Sequence, residues 1–205
     1  LYTGLLGFFM NQCHKRLENF NNNNKHFNKI LEIGAGSAPH YSYIKHSYEE
    51  YHIAETSDYA EDFHKDNPKV KLIKYDGRKL PYENETFDRI IISHCLEHIL
   101  SPEEFIKEMM SKLNKGGVLS ISLPTDPGLA WRLGRLFIRF FTIKKTYNIS
   151  GEEFNYMNAT EHVNSIFNLI SIIRYNYKGK FEEDFYPLKL KMSDINLFYN
   201  VHIHK

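Results

Sequence analysis

The sequence predicts an α/β fold, a mostly parallel sheet with helices on both faces, and three observations carry that expectation. Short apolar runs of strand character alternate with stretches of helical character along most of the chain, the order that builds βαβ units. A glycine pair, Gly34 and Gly36, directly follows the first of these runs, where open α/β sheets turn backbone toward a ligand. Glu55 and Asp76 close the next two runs, at the carboxyl edge where such sheets bind ligands.

Taken in order, the elements begin with a helical pattern over about Leu5 to Phe20, followed by the asparagine tract Asn21 to Asn24, poor helix material that reads as a linker. Ile30 to Ile33 is an apolar strand running into Gly34-Ala35-Gly36, and Pro39 suits the first turn of a following helix. A strand at Tyr51 to Ala54, a polar helix from about Asp58 and a strand at Val70 to Tyr75 come next. Phe87 to Ile92 carries a continuous β-branched run, the mark of a strand buried on both faces.

Ser101-Pro102-Glu103-Glu104 is a helix-start signal, with a cap residue, proline at the first helical position and acids in the first turn. That helix is expected to end at Asn114-Lys115-Gly116-Gly117, before a strand at Val118 to Leu123. The tail reads as a helix near Glu161 to Ile173, then two extended stretches, Phe181 to Leu190 and Ile195 to Ile203, close enough to form an antiparallel pair.

A chain of 205 residues with 42% hydrophobic and 25% charged residues fits a single domain with its own core. Within it, 1–28 reads as an N-terminal cap helix and linker, and 124–159 as a substrate-side insertion. A net charge of +1 gives no global drive toward nucleic acid, and none is expected as a partner. Two cysteines in unrelated contexts make no disulfide framework, so a reducing, cytoplasmic setting is expected. The apolar opening lacks a basic segment and a cleavage site, and no apolar run approaches the roughly 18 residues that span a bilayer.

The chemistry starts at Glu32-Ile33-Gly34-Ala35-Gly36. A dinucleotide turn would want a further glycine near Pro39, where none occurs. An acidic Glu32 would repel a pyrophosphate and suits a cationic ligand instead. Glu55 lies about 20 residues beyond the glycines, where a carboxylate accepts ribose hydroxyl protons. Asp76-Gly77 is placed for an adenine amino group, with Leu80 near the ring. Taken singly, Glu55 reads equally well as a solvated loop acid and Asp76 as a helix cap.

The segments LEIGAGSAPHY, YHIAETS, YDGRKLPYENETFDRIIISHCLEHI and LNKGGVLSISLP together resemble the class I S-adenosylmethionine (SAM)-dependent methyltransferases. The likeness is to the small-molecule branch that includes ubiquinone-pathway C- and O-methyltransferases, and it covers Ile30 to Pro124. It implies a Rossmann-like sheet of seven strands with the last antiparallel, and S-adenosyl-L-methionine as cofactor. Carried over, Glu32, Gly34, Ala35 and Gly36 meet the methionine end and ribose, Glu55 the ribose, and Asp76 and Gly77 the adenine. His94 flanks the same site. One departure is Glu55-Thr56-Ser57, where aspartate is commoner.

Methyl transfer needs a base only when the acceptor is a hydroxyl or a protonated amine, and His98 and His94 are the candidates. Glu161 and His162 are candidate acceptor contacts. Asp126, Glu97 and His162 could gather a divalent cation, but no spacing supports it, and no metal is expected. Between Pro124 and Asn158, Leu129, Leu133, Leu136, Phe137 and Phe140 fall on one helical face, expected to dock on the domain. Arg132, Arg135 and Arg139 fall on another, read either as a solvated face or as a grip on an anionic acceptor. LPTDPGLAWRLGR with EHVNSIFNL also looks like bacterial methyltransferases of surface-glycan pathways, which implies a glycan or lipid-linked sugar acceptor, while the basic stripe beside aromatics could also lie on a membrane surface as a peripheral contact. Two alternatives remain beside this reading: a catalytically silent SAM-fold binding module, and a nucleic-acid or protein methyltransferase.

Overall fold

A computed structural model describes residues 4–19, 25–56, 67–75, 77, 79–141 and 148–205. Seven strands form one sheet: β1 (His26–Ile33), β2 (Ser47–Glu55), β3 (Val70–Lys74), β4 (Phe87–Ser93), β5 (Leu113–Pro124), β6 (Phe181–Tyr186) and β7 (Phe198–His204). Their order is β3-β2-β1-β4-β5-β7-β6. β1 to β5 are parallel, and β7 alone runs against its neighbours. This is the Rossmann-like fold expected, with the tail supplying the antiparallel closure. The asparagine tract, the helix expected from Asp58, and Asp76 itself lie outside the described residues.

Alternation along the strands divides the core between the two faces. Leu31, Ile33, Ile90, Ile92, Leu119 and Ile121 point to one face. There α2 (Pro102–Lys112) packs Ile106 and Met109, and α5 (Ile166–Asn176) packs Leu169 and Ile173. Ile30, Ile53, Ile91 and Val118 point to the other, where α1 (Gly4–Glu18) adds Leu17. That second face also buries charge: Arg89 and Glu18, both fully buried, pair at 2.7 Å, and Glu18 meets His40 at 3.0 Å and His46 at 3.2 Å. A buried arginine needs such partners, because an unpaired charge inside is costly.

Four local expectations are corrected. Pro39 opens only a 3-10 turn, Pro39–Tyr43, after Ala38 in the left-handed region; α1 already covers that face, with Leu17 packed in the cluster of Ala35 and Ala38. Ser101 starts α2 without a side-chain cap bond, its carbonyl accepting from Phe105 N instead. Asn114 to Gly117 do not end the helix but bulge within β5, where pairing jumps from Phe87↔Leu113 to Arg89↔Val118. Gly116 supplies the positive φ of 77° that this bulge requires.

The fourth is the helix expected over Glu161 to Ile173, which is broken in two. α4 (Gly151–Glu161) starts with a capping box between Ser150 and Glu153, and α5 starts afresh with Ser165 accepting from Asn168 N. Between them Asn164 is pinned, its N–H donating to Glu97 O at 3.0 Å and its side chain to Ile99 O at 2.5 Å. The break thereby carries His162 to the segment that follows β4.

Candidate active site

The glycine turn sits at the carboxyl end of β1. Gly34 has φ 64°, and a Cβ there would lie 2.4 Å from Cys95 Sγ, so only glycine lets the two loops meet. Gly36 has φ 53° and open space where a side chain would stand, and its N–H donates to Glu55 Oε2 at 2.6 Å. Glu55 Oε1 accepts from the N–H and hydroxyl of Thr56. Glu55 thus braces the glycine turn through both of its carboxylate oxygens.

A cavity of about 230 Å³ opens here, walled by Gly34, Gly36, Glu55, Gly77, His94 and His98, with Tyr75, Ile99 and Phe105 supplying apolar surface. His94 holds φ 52° just past β4, strain that a β-carbon makes costly. Its Nε2 is buried and has no hydrogen-bond partner, and burial lowers its pKa to about 4, leaving a neutral ring. A nucleoside with a cationic sulfur suits these walls: a carboxylate for hydroxyls, aromatic surface for a base, glycines with room beside them, and no lysine or arginine among the described lining residues.

Of four expected cofactor residues, three stand away from the cavity and one is not described. Glu32 is fully buried beneath the turn, accepting from Tyr51 OH at 2.5 Å, its carboxyl pushed up by burial. Ala35 packs in the core under α1, and Leu80 packs in the opposite core, so neither lines the cavity. The fourth, Asp76, is outside the described residues. Cys95, Tyr75, Ile99 and Phe105 were not anticipated, since apolar residues after strands read as ordinary core. Burial pushes the Cys95 thiol up to about 12, which makes it a wall and not a nucleophile.

A second cavity, of about 650 Å³, lies across the His98–His162 pair, whose rings are 5.1 Å apart. Arg132, Arg135, Arg139, His162, Asp126 and Asn158 line it. Asp126, nearly buried, accepts from Arg135 Nη2 at 2.8 Å and from His162 Nδ1 at 2.8 Å. Glu161 contributes only its carbonyl, bonded by His98 Nδ1 at 2.6 Å, and its side chain is exposed. Both histidines thus donate through Nδ1, which leaves each Nε2 lone pair available. Beside them Glu97 is 3% exposed, and burial pushes its carboxyl up to about 7.

The arginines enter this cavity because the helix that carries them, α3 (Leu129–Phe141), is turned the opposite way from expectation. Leu133, Phe137 and Phe140 are 57%, 60% and 71% exposed, so the apolar row does not dock on the domain. The Arg135–Asp126 pair holds the basic face inward, and Gly128 fits closely under Thr125 and Ser193, where any Cβ would clash.

Residues 31–121, which hold the glycine turn and most of β5, match the family model of the methyltransferase domain. No curated protein matches the sequence. Among solved structures the chain is similar to a Thermotoga maritima SAM-dependent methyltransferase, a possible histamine N-methyltransferase, at 19% identity and TM-score 0.59, over 98% of this chain and 92% of that one. It is also similar to the N-methyltransferase NodS of Bradyrhizobium japonicum, solved with S-adenosyl-L-homocysteine, at 14% identity and TM-score 0.62, over 96% and 87%. The plantazolicin methyltransferase BpumL is similar at 13% identity and TM-score 0.59, over 96% and 81%. The sheet order, the matched domain and the cavity at the glycine turn agree: residues 31–121 match a methyltransferase domain, set on a Rossmann-like sheet with the cavity at its carboxyl edge.

Proposed function

We propose that this enzyme methylates a small-molecule acceptor carrying an anionic group, with a glycan or lipid-linked sugar intermediate as the acceptor class. The observation that carries the reading is the convergence of Arg132, Arg135 and Arg139 on a cavity separated from the cofactor cavity by one histidine pair. Guanidinium groups match phosphate and carboxylate geometry.

Bound S-adenosylmethionine supplies a methyl group already activated on sulfur, so the protein's work is placement and exclusion of water. Gly34 and Gly36 let backbone approach the ligand, Glu55 accepts its ribose hydroxyls, and Tyr75 and Phe105 cover its base. His94 Nε2, buried and neutral, faces the same space. His98 stands at the passage to the acceptor cavity, its Nε2 positioned to take a proton from a hydroxyl acceptor.

The outward apolar row of α3 supports a lipid-linked acceptor met at a membrane surface. No helix among the described residues is long and apolar enough to cross a membrane. The test is incubation of the enzyme with a native small-molecule extract and deuterated-methyl SAM, read by mass spectrometry. Label on a phosphorylated or otherwise anionic sugar supports the reading; label only on neutral amines or on macromolecules overturns it.

A further inference from the structure

We propose that Glu97, His98 and His162 form a divalent-metal site between the cofactor and acceptor cavities. One ligand-type atom from each lies within 4.8 Å of the others, with His98 Nε2 3.9 Å from Glu97 Oε1. Two ligands at about 2.1 Å from a common ion stand roughly 3.5 Å apart in a tetrahedral site, so a closure of about 1 Å completes the geometry.

Three independent features point to an ion. Glu97 is buried, and its Oε2 has no hydrogen-bond partner; a carboxylate in that state lacks a counter-charge. Each histidine is oriented from behind, His162 Nδ1 by Asp126 Oδ2 at 2.8 Å and His98 Nδ1 by the Glu161 carbonyl at 2.6 Å. Outer partners of this kind, a carboxylate and a backbone carbonyl on the far ring nitrogen, are the usual support of metal-bound histidine. Finally, His98 lines one cavity and His162 the other, so an ion there would face the space where cofactor and acceptor meet.

Two imidazoles and one carboxylate select a borderline cation such as zinc, cobalt or iron over calcium or magnesium, and leave positions open. Resting on the methyl-transfer reading, this site makes a hydroxyl the acceptor atom: an oxygen on the ion loses its proton more readily. In the transfer the acceptor oxygen bonds to the methyl carbon as the carbon–sulfur bond breaks, and the hydroxyl proton leaves to solvent, because an ion on His98 Nε2 takes the lone pair that would receive it in a metal-free site. Arg135, which holds Asp126 from the acceptor cavity, then couples acceptor binding to the ion's outer shell.

The test uses untagged, chelator-treated full-length protein titrated with cobalt(II), followed by calorimetry and by the visible absorption of the bound ion. Wild type should bind one equivalent and gain thermal stability on binding. Glu97→Gln and His162→Ala should each lose at least about tenfold in affinity, and Asp126→Asn, one shell out, about 10–100-fold. Circular dichroism confirms that each variant is folded; if one is not, the wild-type stoichiometry and absorption still decide. No saturable binding by wild type, or unchanged binding by folded Glu97→Gln and His162→Ala, overturns the site. Cobalt binding needs neither SAM nor acceptor, so a failed titration leaves the methyl-transfer reading standing, and a failed methyl transfer leaves the titration informative.

Discussion

Helices α2 and α3 are both amphipathic, and they present their faces in opposite senses. α2 buries Ile106 and Met109 completely in the core, whereas α3 leaves Leu133 and Phe140 largely exposed and turns Arg135 and Arg139 toward the second cavity. The anchorage explains the difference. α2 is a crossover between two parallel strands, β4 and β5, so its apolar side must close over the sheet. α3 begins after β5 has ended, beside Asp126, a nearly buried carboxylate whose charge is met by Arg135 and His162. Periodicity tells which residues share a face, and charge burial decided which face α3 turns inward.

Acid should expose the largest effect, because α1 secures the cofactor half from beneath with neutral histidines. Burial pushes His14 down to about 2 and lowers His46 and His202 as well, while an unfolded histidine titrates near about 6.5. Their folded values lie below the unfolded one, so the stability they allow is present above about pH 6.5 and lost as pH falls. Each costs up to about 1.4 kcal/mol per pH unit in that window. Urea unfolding at pH 7 and 5.5 checks this; equal or higher stability at 5.5 would mean that these rings protonate in place.

The helices themselves can be compared by truncation. Ile106→Ala on α2 should cost about 2–5 kcal/mol, the range for a filled core position. Leu133→Ala on α3 should change stability by less than about 0.5 kcal/mol. Comparable losses in urea melts would show that the α3 row is covered in solution.

Two binding experiments sharpen the division further. On the proposed ribose role of Glu55, Glu55→Ala removes charge-assisted bonds worth about 1.5–3 kcal/mol each and should weaken SAM at least about tenfold by calorimetry. Unchanged affinity in a folded variant would place the ribose elsewhere. Replacing Arg132, Arg135 and Arg139 together by Gln should leave SAM affinity intact, raise the acceptor KM severalfold and flatten the salt dependence of turnover. A triple variant with wild-type kinetics would make the arginine cavity irrelevant to catalysis.

Much of the glycine-turn cavity was legible because its signals are local. Gly34 and Gly36 need positive φ, and Glu55 follows a strand by a spacing that the sheet imposes. The burial of Glu32 was not legible: a strand's last residues alternate sides, and its side chain goes under the turn to Tyr51. The walls supplied by Tyr75, Ile99 and Phe105 left no trace, since pocket lining and core filling use the same residues.

By itself the sequence determined the alternation of strands and helices, the glycine turn and the antiparallel tail, all consequences of side-chain period and backbone φ over a few residues. Only the tertiary structure decided that α3 points its arginines inward, and that Glu97 and His98 meet His162 across a broken helix. Those outcomes depend on where a buried charge finds its partner. Asp126 could pair with Arg135 and His162 only once the chain had folded back from β5 to α5, and no local pattern records that meeting.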